Sequence, residues 1–274
     1  MKPIATIILN RNLPEVTDRL FNYIEAQDGQ LTDIFVVDAG SDDDKLSAHT
    51  TWRVNSPDVV AHGMRYARGM NFGLRKLWET KKFDRYEAFL LLTNDTEFIS
   101  EKPVSGLIEV LRAHPRVGLL SPCGENWGER MLLNTEVTRY FWFIHNNAYL
   151  FRREFLEAII NIEASQENNF VFDGSNFRGY GMESEIIAKA YSNDWAAAIT
   201  SQVLANENES YLLTKADLIK TEGFSENLGL YILEGKAWMR SKYGFNSHWQ
   251  MTFYAKLFYD RFFENFPELK GHKI

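Results

Sequence analysis

The strongest constraint on the fold is a repeated alternation of short apolar runs with segments of helical periodicity. Residues 4–9 form an apolar run rich in β-branched side chains, a helical pattern starts at Pro14, and residues 34–37 form a second apolar run. Such runs are typical of strands that are buried on both faces of a parallel sheet. Further strands are predicted at residues 59–61, 88–92, 117–120 and 196–200, with a β-like stretch at 135–144. Helices are predicted at residues 66–78, 107–113, 153–162 and 183–191. This alternation indicates an open α/β sheet with right-handed crossovers.

The C-terminal part of the chain has a different pattern. From residue 211 onward the sequence predicts helices without strand alternation, so we divide the chain into an α/β domain at 1–210 and a helical extension at 211–274. The extension carries 14 of the 39 aromatic residues. Trp249, Phe253 and Leu257 recur at helical spacing, which predicts a helix packed on the main domain through these side chains. The alternative is that this aromatic, mildly basic segment contacts an acceptor or a membrane surface.

Composition narrows the classes of function. The 274 residues are enough for one large domain or one domain with an appendage. Lys and Arg number 30 against 37 Asp and Glu, a net charge of −7, which argues against a nucleic-acid partner. The single cysteine, Cys123, cannot form an intramolecular disulfide, so a reducing, cytoplasmic compartment is expected. No apolar stretch reaches the roughly 18 residues of a membrane helix, and Arg11 comes too early for a signal peptide. We therefore expect a soluble protein or one peripheral to a membrane.

Polar residues follow the predicted strands at the edge where an α/β sheet binds its ligands. Residues 10–12 follow the first strand, Asp38 the second, Arg65 the third and residues 93–97 the fourth. Asp95 ends an apolar run, and a carboxylate there can hold Mg²⁺ or Mn²⁺ against a diphosphate. The alternative is that Asp95 caps the next turn. Asp38 can accept a hydrogen bond from a base or a ribose, but it can equally belong to a turn.

Several common phosphate-binding and hydrolytic motifs are absent from the sequence. The first strand is not followed by Gly-x-Gly-x-x-Gly, and Gly-x4-Gly-Lys-Ser/Thr does not occur. These absences argue against a dinucleotide enzyme and a P-loop NTPase. Gly-x-Ser-x-Gly is also missing, which argues against an α/β-hydrolase.

Four segments in this order resemble a family 2 glycosyltransferase with the GT-A fold. They are Ile-Ile-Leu-Asn-Arg-Asn at 7–12, Val-Val-Asp-Ala-Gly-Ser-Asp at 36–42, Arg-Tyr-Ala-Arg-Gly-Met-Asn-Phe-Gly at 65–73 and Leu-Thr-Asn-Asp-Thr at 92–96. Later, residues 145–153 resemble the acceptor-side strand of that family and the helix after it. Residues 172–174 and 181–185 resemble its Phe-Asp-Glu and Glu-Asp-x-Asp region. The resemblance spans residues 4 to about 200.

The resemblance implies a GT-A-type open mixed sheet with a Rossmann-like nucleotide-binding half, and a set of site residues. Asp38 matches the aspartate that binds the nucleotide base, and Arg65 matches a basic residue beside it, which favours a UDP-sugar donor. Asn12 also falls in the donor-binding part of the motifs. Asn94 and Asp95 fall on the Asp-x-Asp-type motif, which implies ribose contact by Asn94 and a Mn²⁺ or Mg²⁺ ion held by Asp95.

The implied reaction is inverting transfer of a hexosyl group from the donor to a hydroxyl of a glycan, a lipid-linked or a protein acceptor. Glu183 falls where the family has its catalytic base. A carboxylate at the start of a helix is stabilised by the nearby N–H groups; the alternative is that Glu183 and Glu185 only solvate the first helical turn.

The sequence also departs from the family pattern. The metal motif here is Asn-Asp-Thr-Glu, one carboxylate fewer than in many relatives, and Glu97 is a possible substitute. His145 is a potential metal or diphosphate ligand, although a histidine beside several aromatic residues is more often structural. A GT-A domain that binds a nucleotide or glycan without transfer is therefore an alternative function. A sugar nucleotidyltransferase is another, but no glycine-rich, Arg-containing loop follows the first strand.

Overall fold

A computed structural model describes residues 2–125, 128–144, 148–163, 168–208, 210–214, 218 and 220–274. The strands are β1 (Ile4–Asn10), β2 (Thr32–Ala39), β3 (Thr50–Val54), β4 (Ala88–Thr93), β5 (Thr96–Phe98), β6 (Val117–Cys123), β7 (Thr138–Tyr140), β8 (Tyr149–Arg152) and β9 (Ala196–Glu207). The helices are α1 (Pro14–Asp28), α2 (Pro57–His62), α3 (Arg65–Glu79), α4 (Pro103–Ala113), α5 (Arg153–Ile159), α6 (Met182–Ser192), α7 (Ser210–Thr214), α8 (Phe224–Tyr243) and α9 (His248–Asn265). A 3₁₀ helix, Pro267–His272, follows α9.

The strands form one mixed sheet in the order β3-β2-β1-β4-β8-β6-β9-β5, with β7 paired to β9. Strands β3, β2, β1 and β4 are parallel, whereas β8 is antiparallel to both β4 and β6. Helices α1 and α3 pack on the parallel half and α4, α5 and α6 on the rest. The central strand residues 88–92 are completely buried because helices cover both faces of the sheet. The predicted open α/β sheet flanked by helices is confirmed.

The predicted third strand at residues 59–61 is wrong. These residues belong to α2, in which Pro57 occupies the first turn and Ser56 is the N-cap. The true third strand, Thr50–Val54, lies at the sheet edge and alternates exposed with half-buried residues, so it lacks the apolar run that marks a buried strand. As a consequence Arg65 does not follow a strand; it is the first residue of α3.

The prediction that Trp249, Phe253 and Leu257 pack inward is also wrong. They are 66%, 58% and 69% exposed. The inward face of α9 carries a different set of side chains, among them Met251, Ala255, Tyr259, Phe262 and Phe263. Both faces of α9 have apolar residues at helical spacing, so periodicity locates the helix without deciding which face is buried. In the part of the chain that the structure describes, no helix has the length and apolar character to span a membrane.

A buried ionic cluster attaches α8 to the α/β part. Lys242 donates to Asp173 at 2.6 Å and to Glu185 at 2.7 Å, and Trp238 Nε1 donates to Asp173 at 3.0 Å. Burial by itself raises the pKa of Asp173, but the hydrogen bonds from Lys242, Ser175 and Trp238 outweigh it and hold that pKa well below its ordinary value. Asp173 therefore stays ionised and ties α8 to the loop before α6.

We expect Asp173→Asn to lower the free energy of unfolding by about 2 kcal/mol at pH 7, because the variant weakens charge-assisted hydrogen bonds in a buried cluster. The pKa of Asp173 is lower in the folded state than its unfolded value of about 3.9. Its contribution is therefore complete above that pH and is lost as the pH falls below it. Urea unfolding of the wild-type protein and of Asp173→Asn at pH 7 and pH 3 measures this effect. The difference between their free energies of unfolding should be smaller at pH 3 than at pH 7.

Asp44→Asn is the matched control, because the Asp44 side chain is 78% exposed. Its expected effect is under about 0.5 kcal/mol at both pH values. Equal losses for the two variants at pH 7 would contradict the structural role of Asp173.

Candidate functional site

The carboxyl ends of β1, β2 and β4 lie side by side at one edge of the sheet. The parallel register pairs Asn10 with Asp38 and Leu9 with Thr93. Because parallel strands end on the same side, the residues that follow them face a common crevice. The sheet therefore brings Asn10, Asp38 and residues 93–95 together, as the sequence predicts.

Asp38 lies beneath this crevice and is completely buried. Its Oδ2 accepts hydrogen bonds from Asn10 Nδ2 at 3.0 Å and from Ser41 Oγ at 2.5 Å, and its Oδ1 accepts from the Ser41 backbone N–H at 3.0 Å. Both carboxylate oxygens thus hold the turn after β2 against β1. The residue of this turn that lines the crevice is Ala39.

A small polar network positions Asn94. Asn10 Oδ1 accepts from Thr17 Oγ1 at 2.8 Å and from Asn94 Nδ2 at 3.4 Å. Asn94 Nδ2 also reaches Thr17 Oγ1 at 3.1 Å. Asn10 and Thr17 are completely buried. Their hydrogen bonds therefore hold the Asn94 side chain in place at the crevice.

The crevice opens into a cleft of about 220 Å³. It is lined by the ends of β1, β2 and β4, by the α2–α3 connection and by the C-terminal segment. The lining residues are Leu9, Arg11, Leu13, Ala39, His62, Gly63, Met64, Arg65, Thr93, Asn94, Asp95, Tyr211, Lys220 and Thr221.

The cleft is lined by Arg11, Arg65 and Lys220 together with the carboxylate of Asp95. Lys220 is paired with Asp42 and Arg65 with Glu222, so Arg11 is the cation of the lining without a carboxylate partner among the described residues. Burial lowers the pKa of Arg11, and the nearby Arg65 charge lowers it further. Both guanidiniums nevertheless remain protonated at neutral pH. An anion bound between them would relieve this repulsion.

Two residues of the cleft region have left-handed backbone conformations. Asn12 has φ 53° and Arg65 has φ 55°. Asparagine tolerates this region, whereas it is uncommon for arginine. Strained residues of this kind often occur at functional sites, where the surrounding structure stabilises them. Lys81 and Lys102, which do not line the cleft, have the same conformation, so the assignment of Arg65 to a binding site stays a prediction.

The C-terminal segment covers the same residues. Asn12 Nδ2 donates to the Leu218 carbonyl at 2.7 Å, Lys220 Nζ donates to Asp42 Oδ1 at 2.5 Å, and Arg65 Nη2 donates to Thr221 Oγ1 at 2.7 Å. We call residues 218 and 220–222 the covering segment. Asn12 and Arg65 are thus held by this segment in the present structure.

The covering segment is fixed at its far end by Arg178. This guanidinium donates to Glu222 Oε1 at 2.5 Å, and it also pairs with Glu234 of α8. The hydrogen bond from Arg178 lowers the pKa of Glu222 to about 2. The segment is therefore held by ionised partners at neutral pH.

Glu183 lies in the first turn of α6, outside the cleft lining given above. Its Oε1 is 3.1 Å from His248 Nε2, and the two side chains are 18% and 17% exposed. Tyr180 stacks on the His248 ring at 4.9 Å between centroids. A partly exposed carboxylate held by an imidazole can accept a proton from a ligand hydroxyl.

The neighbouring Glu185 has a different environment. It is buried and accepts from Lys242 at 2.7 Å, with Lys189 3.7 Å away. Tyr243 also donates a hydrogen bond to it. Glu185 therefore belongs to the structural cluster on α6, whereas Glu183 is partly exposed and contacts His248.

Tyr231 of α8 is placed beside the ring of Tyr180, with 4.9 Å between the ring centroids. Burial raises the pKa of the Tyr231 hydroxyl, and the charges of Glu183, Tyr180 and Glu207 raise it further.

The oxygen ligands available for a metal are few. Among the residues that the structure describes, no group of three or more His, Cys, Asp or Glu side chains can hold a metal ion. Glu97 is half exposed, accepts from Asn208 and lies 3.8 Å from Arg19, and it is not part of the cleft lining that contains Asp95. His145 lies outside the described residues. One carboxylate nevertheless fits Mg²⁺ or Mn²⁺ when substrate phosphates and water supply the other ligands.

Sequence reasoning missed the contribution of the C-terminal segment. The cleft is lined in part by Tyr211, Lys220 and Thr221, and His248 contacts Glu183. All four residues are far along the chain from the residues that they meet. The only signal was the aromatic and basic composition of residues 211–274, which does not single out positions.

Comparison with solved structures identifies the fold. No protein-family model matches the sequence, and no curated protein resembles it significantly. A mannosyltransferase from Pyrobaculum calidifontis, PcManGT, in complex with GDP-Man and Mn²⁺, has a TM-score of 0.52 at 13% identity, covering 93% of this chain and 73% of its own. S. aureus TarS 1–349 in complex with UDP has a TM-score of 0.52 at 13% identity, covering 88% and 74%.

GalNAc-T7 with UDP, GalNAc and Mn²⁺ has a TM-score of 0.54 at 9% identity. The alignment covers 98% of this chain and 58% of GalNAc-T7, so this chain spans little more than half of that protein. These likenesses confirm the GT-A fold that the resemblance implies. At such identities they establish the fold alone.

We expect Asp38→Ala to lower the free energy of unfolding by about 3 kcal/mol without any ligand, because buried donors of Asn10 and Ser41 lose their acceptor. The control is Asp42→Ala, whose side chain is 46% exposed and pairs with Lys220; its expected loss is much smaller than that of Asp38→Ala, because exposed ion pairs contribute little to stability. Urea unfolding of the three proteins measures both. Similar losses for the two variants would contradict the role of Asp38 beneath the cleft.

Proposed function

We propose that this chain, which has the GT-A fold, is a family 2-type inverting glycosyltransferase that uses a UDP-sugar. The observation that carries the proposal is the cleft at the ends of β1, β2 and β4, which holds Asn94 and Asp95. A nucleoside diphosphate supplies the anionic charge that Arg11 attracts. The solved structures of similar fold in complex with UDP or GDP-Man support this class of donor.

The proposed donor residues act in different ways. Asn94 binds the ribose, and Arg65 and Asn12 bind the donor after the covering segment releases them. Asp38 is the proposed base-recognition residue of the motif, but its oxygens are engaged by Asn10 and Ser41. We propose that it acts by holding the turn that presents Ala39 to the nucleotide.

The cleft is proposed to use Mn²⁺ or Mg²⁺ held by Asp95. Such an ion, when bound, neutralises charge on the leaving diphosphate. Arg11, which lines the same cleft, is proposed to share this task. This sharing accounts for the presence of one carboxylate where many members of the family have two.

Glu183 is the proposed catalytic base. It takes the proton of the acceptor hydroxyl while the hydroxyl oxygen forms a bond to the anomeric carbon. The bond from that carbon to the diphosphate oxygen breaks on the opposite face, which inverts the configuration. His248 is a positioning residue: its Nε2 hydrogen-bonds to Glu183 Oε1 and directs the free oxygen toward the acceptor.

A second candidate is a GT-A domain that binds a nucleotide or glycan without transferring a sugar. The contacts of the covering segment with Asn12 and Arg65 favour it, because these residues are occupied in the present structure. Donor turnover separates the two candidates.

We expect UDP with Mn²⁺ to raise the melting temperature of the wild-type protein, because a ligand that binds only the native state stabilises it by mass action. At a ligand concentration of about 100 Kd the gain is about 2.7 kcal/mol. Asp95→Ala should lose the Mn²⁺-dependent part of the shift. A thermal-shift series with UDP, GDP, CDP and dTDP, each with and without Mn²⁺, measures this.

Glu97→Ala is the control for Asp95→Ala, since it removes the other carboxylate of the motif without touching the cleft lining. Its shift should equal that of the wild-type protein. The absence of a shift with every nucleotide at millimolar concentration would contradict a nucleotide-binding cleft.

We expect Glu183→Gln to lower kcat for sugar transfer by about 10² to 10⁴, because a positioned base contributes a factor of this size. The donor-induced thermal shift should remain. Glu226→Gln, an exposed glutamate in the first turn of α8, is the matched control. His248→Gln should lower kcat less and change the pH dependence of kcat. Full activity of Glu183→Gln would refute this assignment.

A further inference from the structure

The outer face of α9 presents an apolar stripe to solvent. Trp249, Phe253 and Leu257 are spaced four residues apart and are 66%, 58% and 69% exposed. This spacing puts them on one side of the helix. The opposite side, with Met251 and Ala255, is completely buried. Stripes of large apolar side chains on a charged surface commonly mark an interaction site.

The exposed side of α8 adds basic residues to this stripe. Leu233, Lys236 and Arg240 recur at spacings of three and four, and all three are exposed. Arg240 Nε donates to Asn246 Oδ1 at 3.1 Å, and the Asn246 backbone N–H donates to Gln250 Oε1 at 2.5 Å. Gln250 is adjacent to Trp249 in the chain.

These hydrogen bonds link Arg240, at the end of the exposed side of α8, to the start of α9, where Trp249 begins the other stripe. We call the two exposed stripes together the α8–α9 face, defined by Leu233, Lys236, Arg240, Trp249, Phe253 and Leu257.

The unbalanced charge on this side of the molecule is positive. Asp260 is matched by Lys256 and Lys273, and Glu264 is matched by Arg261. Lys236 and Arg240 form no ion pair with any residue that the structure describes. Glu226 is exposed on the same side of α8, seven residues before Leu233, and offsets one of these two charges. Residues 211–274 carry nine Lys and Arg against seven Asp and Glu, a net +2, whereas residues 1–210 carry −9. The exposed aromatic stripe thus lies in a part of the chain whose net charge is positive, although the protein as a whole is acidic.

We propose that the α8–α9 face docks on the surface of an anionic lipid bilayer. Helices that lie in the membrane interface insert Trp, Phe and Leu at the acyl boundary and place Lys and Arg against the headgroups. The charge complementarity selects an anionic bilayer over a neutral one. Because the stripe lies on a helix whose other face belongs to the core, docking needs no refolding.

This orientation also suggests the class of acceptor, a step that rests on the proposed transferase function. His248 contacts Glu183, and the next residue, Trp249, begins the stripe. A helix with its side chains is about 10–12 Å across. The proposed base therefore lies within about one helix diameter of the bilayer. A hydroxyl carried on a membrane lipid fits this distance, so we infer a lipid-linked acceptor.

Co-sedimentation with vesicles tests the docking. Wild-type protein should bind vesicles of phosphatidylcholine with 30% phosphatidylglycerol at least about tenfold more tightly than pure phosphatidylcholine vesicles. Trp249→Gln/Leu257→Gln should weaken binding to the anionic vesicles at least about tenfold. Lys236→Gln/Arg240→Gln should weaken it about fivefold for each charge removed.

Met131→Gln/Ile162→Gln is the matched control, because these side chains are 68% and 62% exposed on the α/β part. This control should bind like the wild-type protein, and all variants should keep its melting temperature. Equal binding to neutral vesicles, or equal losses in the control, would overturn the proposal. A dimer in light scattering that Trp249→Gln/Leu257→Gln abolishes would assign the face to a second copy and also overturn it.

The vesicle measurement uses the protein without nucleotide, and the nucleotide thermal shift uses no vesicles. Loss of one result with the other intact therefore distinguishes failure of the docking from failure of the proposed function.

The acceptor class is tested by transfer to a sugar on a lipid carrier against transfer to the same sugar free in solution. The lipid-carried acceptor should be at least tenfold better in kcat/KM with the wild-type protein, and Trp249→Gln/Leu257→Gln should remove that advantage. Equal use of both acceptors would overturn the inference.

Discussion

The buried carboxamide of Asn10 is the interaction on which the candidate site depends. Its Nδ2 donates to Asp38 at the end of β2, and its Oδ1 accepts from Thr17 of α1 and from Asn94 after β4. One side chain thus joins the three segments that carry the cleft. A buried polar group without a hydrogen-bond partner is unfavourable, so these side chains are held in the arrangement in which each polar group has a partner. The rigidity of the cleft floor follows from this arrangement.

The upper side of the site comes from the other end of the chain. Ionic contacts of Arg178 with Glu222 and Glu234, and of Lys242 with Asp173 and Glu185, attach the C-terminal helices to the α/β part. These contacts bring His248 to Glu183 and the covering segment to Asn12 and Arg65. The C-terminal helices therefore take part in the site as well as in packing. The outer face of these helices is exposed to solvent, and this exposure is the basis of the bilayer proposal.

Prediction from the sequence succeeded where local pattern and burial coincide. Residues 4–9 and 88–92 are apolar because both faces of these strands are covered, so their pattern marks a central strand. Prediction failed where the local apolar pattern of a segment does not correspond to the burial of its residues. Val59 and Val60 suggest a strand, but Ser56 and Pro57 start a helix there. The edge strand Thr50–Val54 has no apolar run because solvent reaches it. On α9 two apolar stripes compete, and packing against α6 and against Trp238 and Met239 of α8 decides that Met251 and Ala255 are inside.

The sequence by itself determined the central strands of the sheet, the helices between them and the polar residues after β1, β2 and β4, because these follow from short-range periodicity and from the rule that parallel strands end on one side. The division at residue 210 stays a prediction. Only the tertiary structure decided which polar groups face the cleft: Asp38 points beneath it, Asp95 lines it, and Glu183 pairs with His248 while Glu185 is buried. These outcomes depend on contacts between residues that are up to about 200 positions apart. No local pattern encodes such contacts, because the energy that selects them arises from the packing of the whole chain.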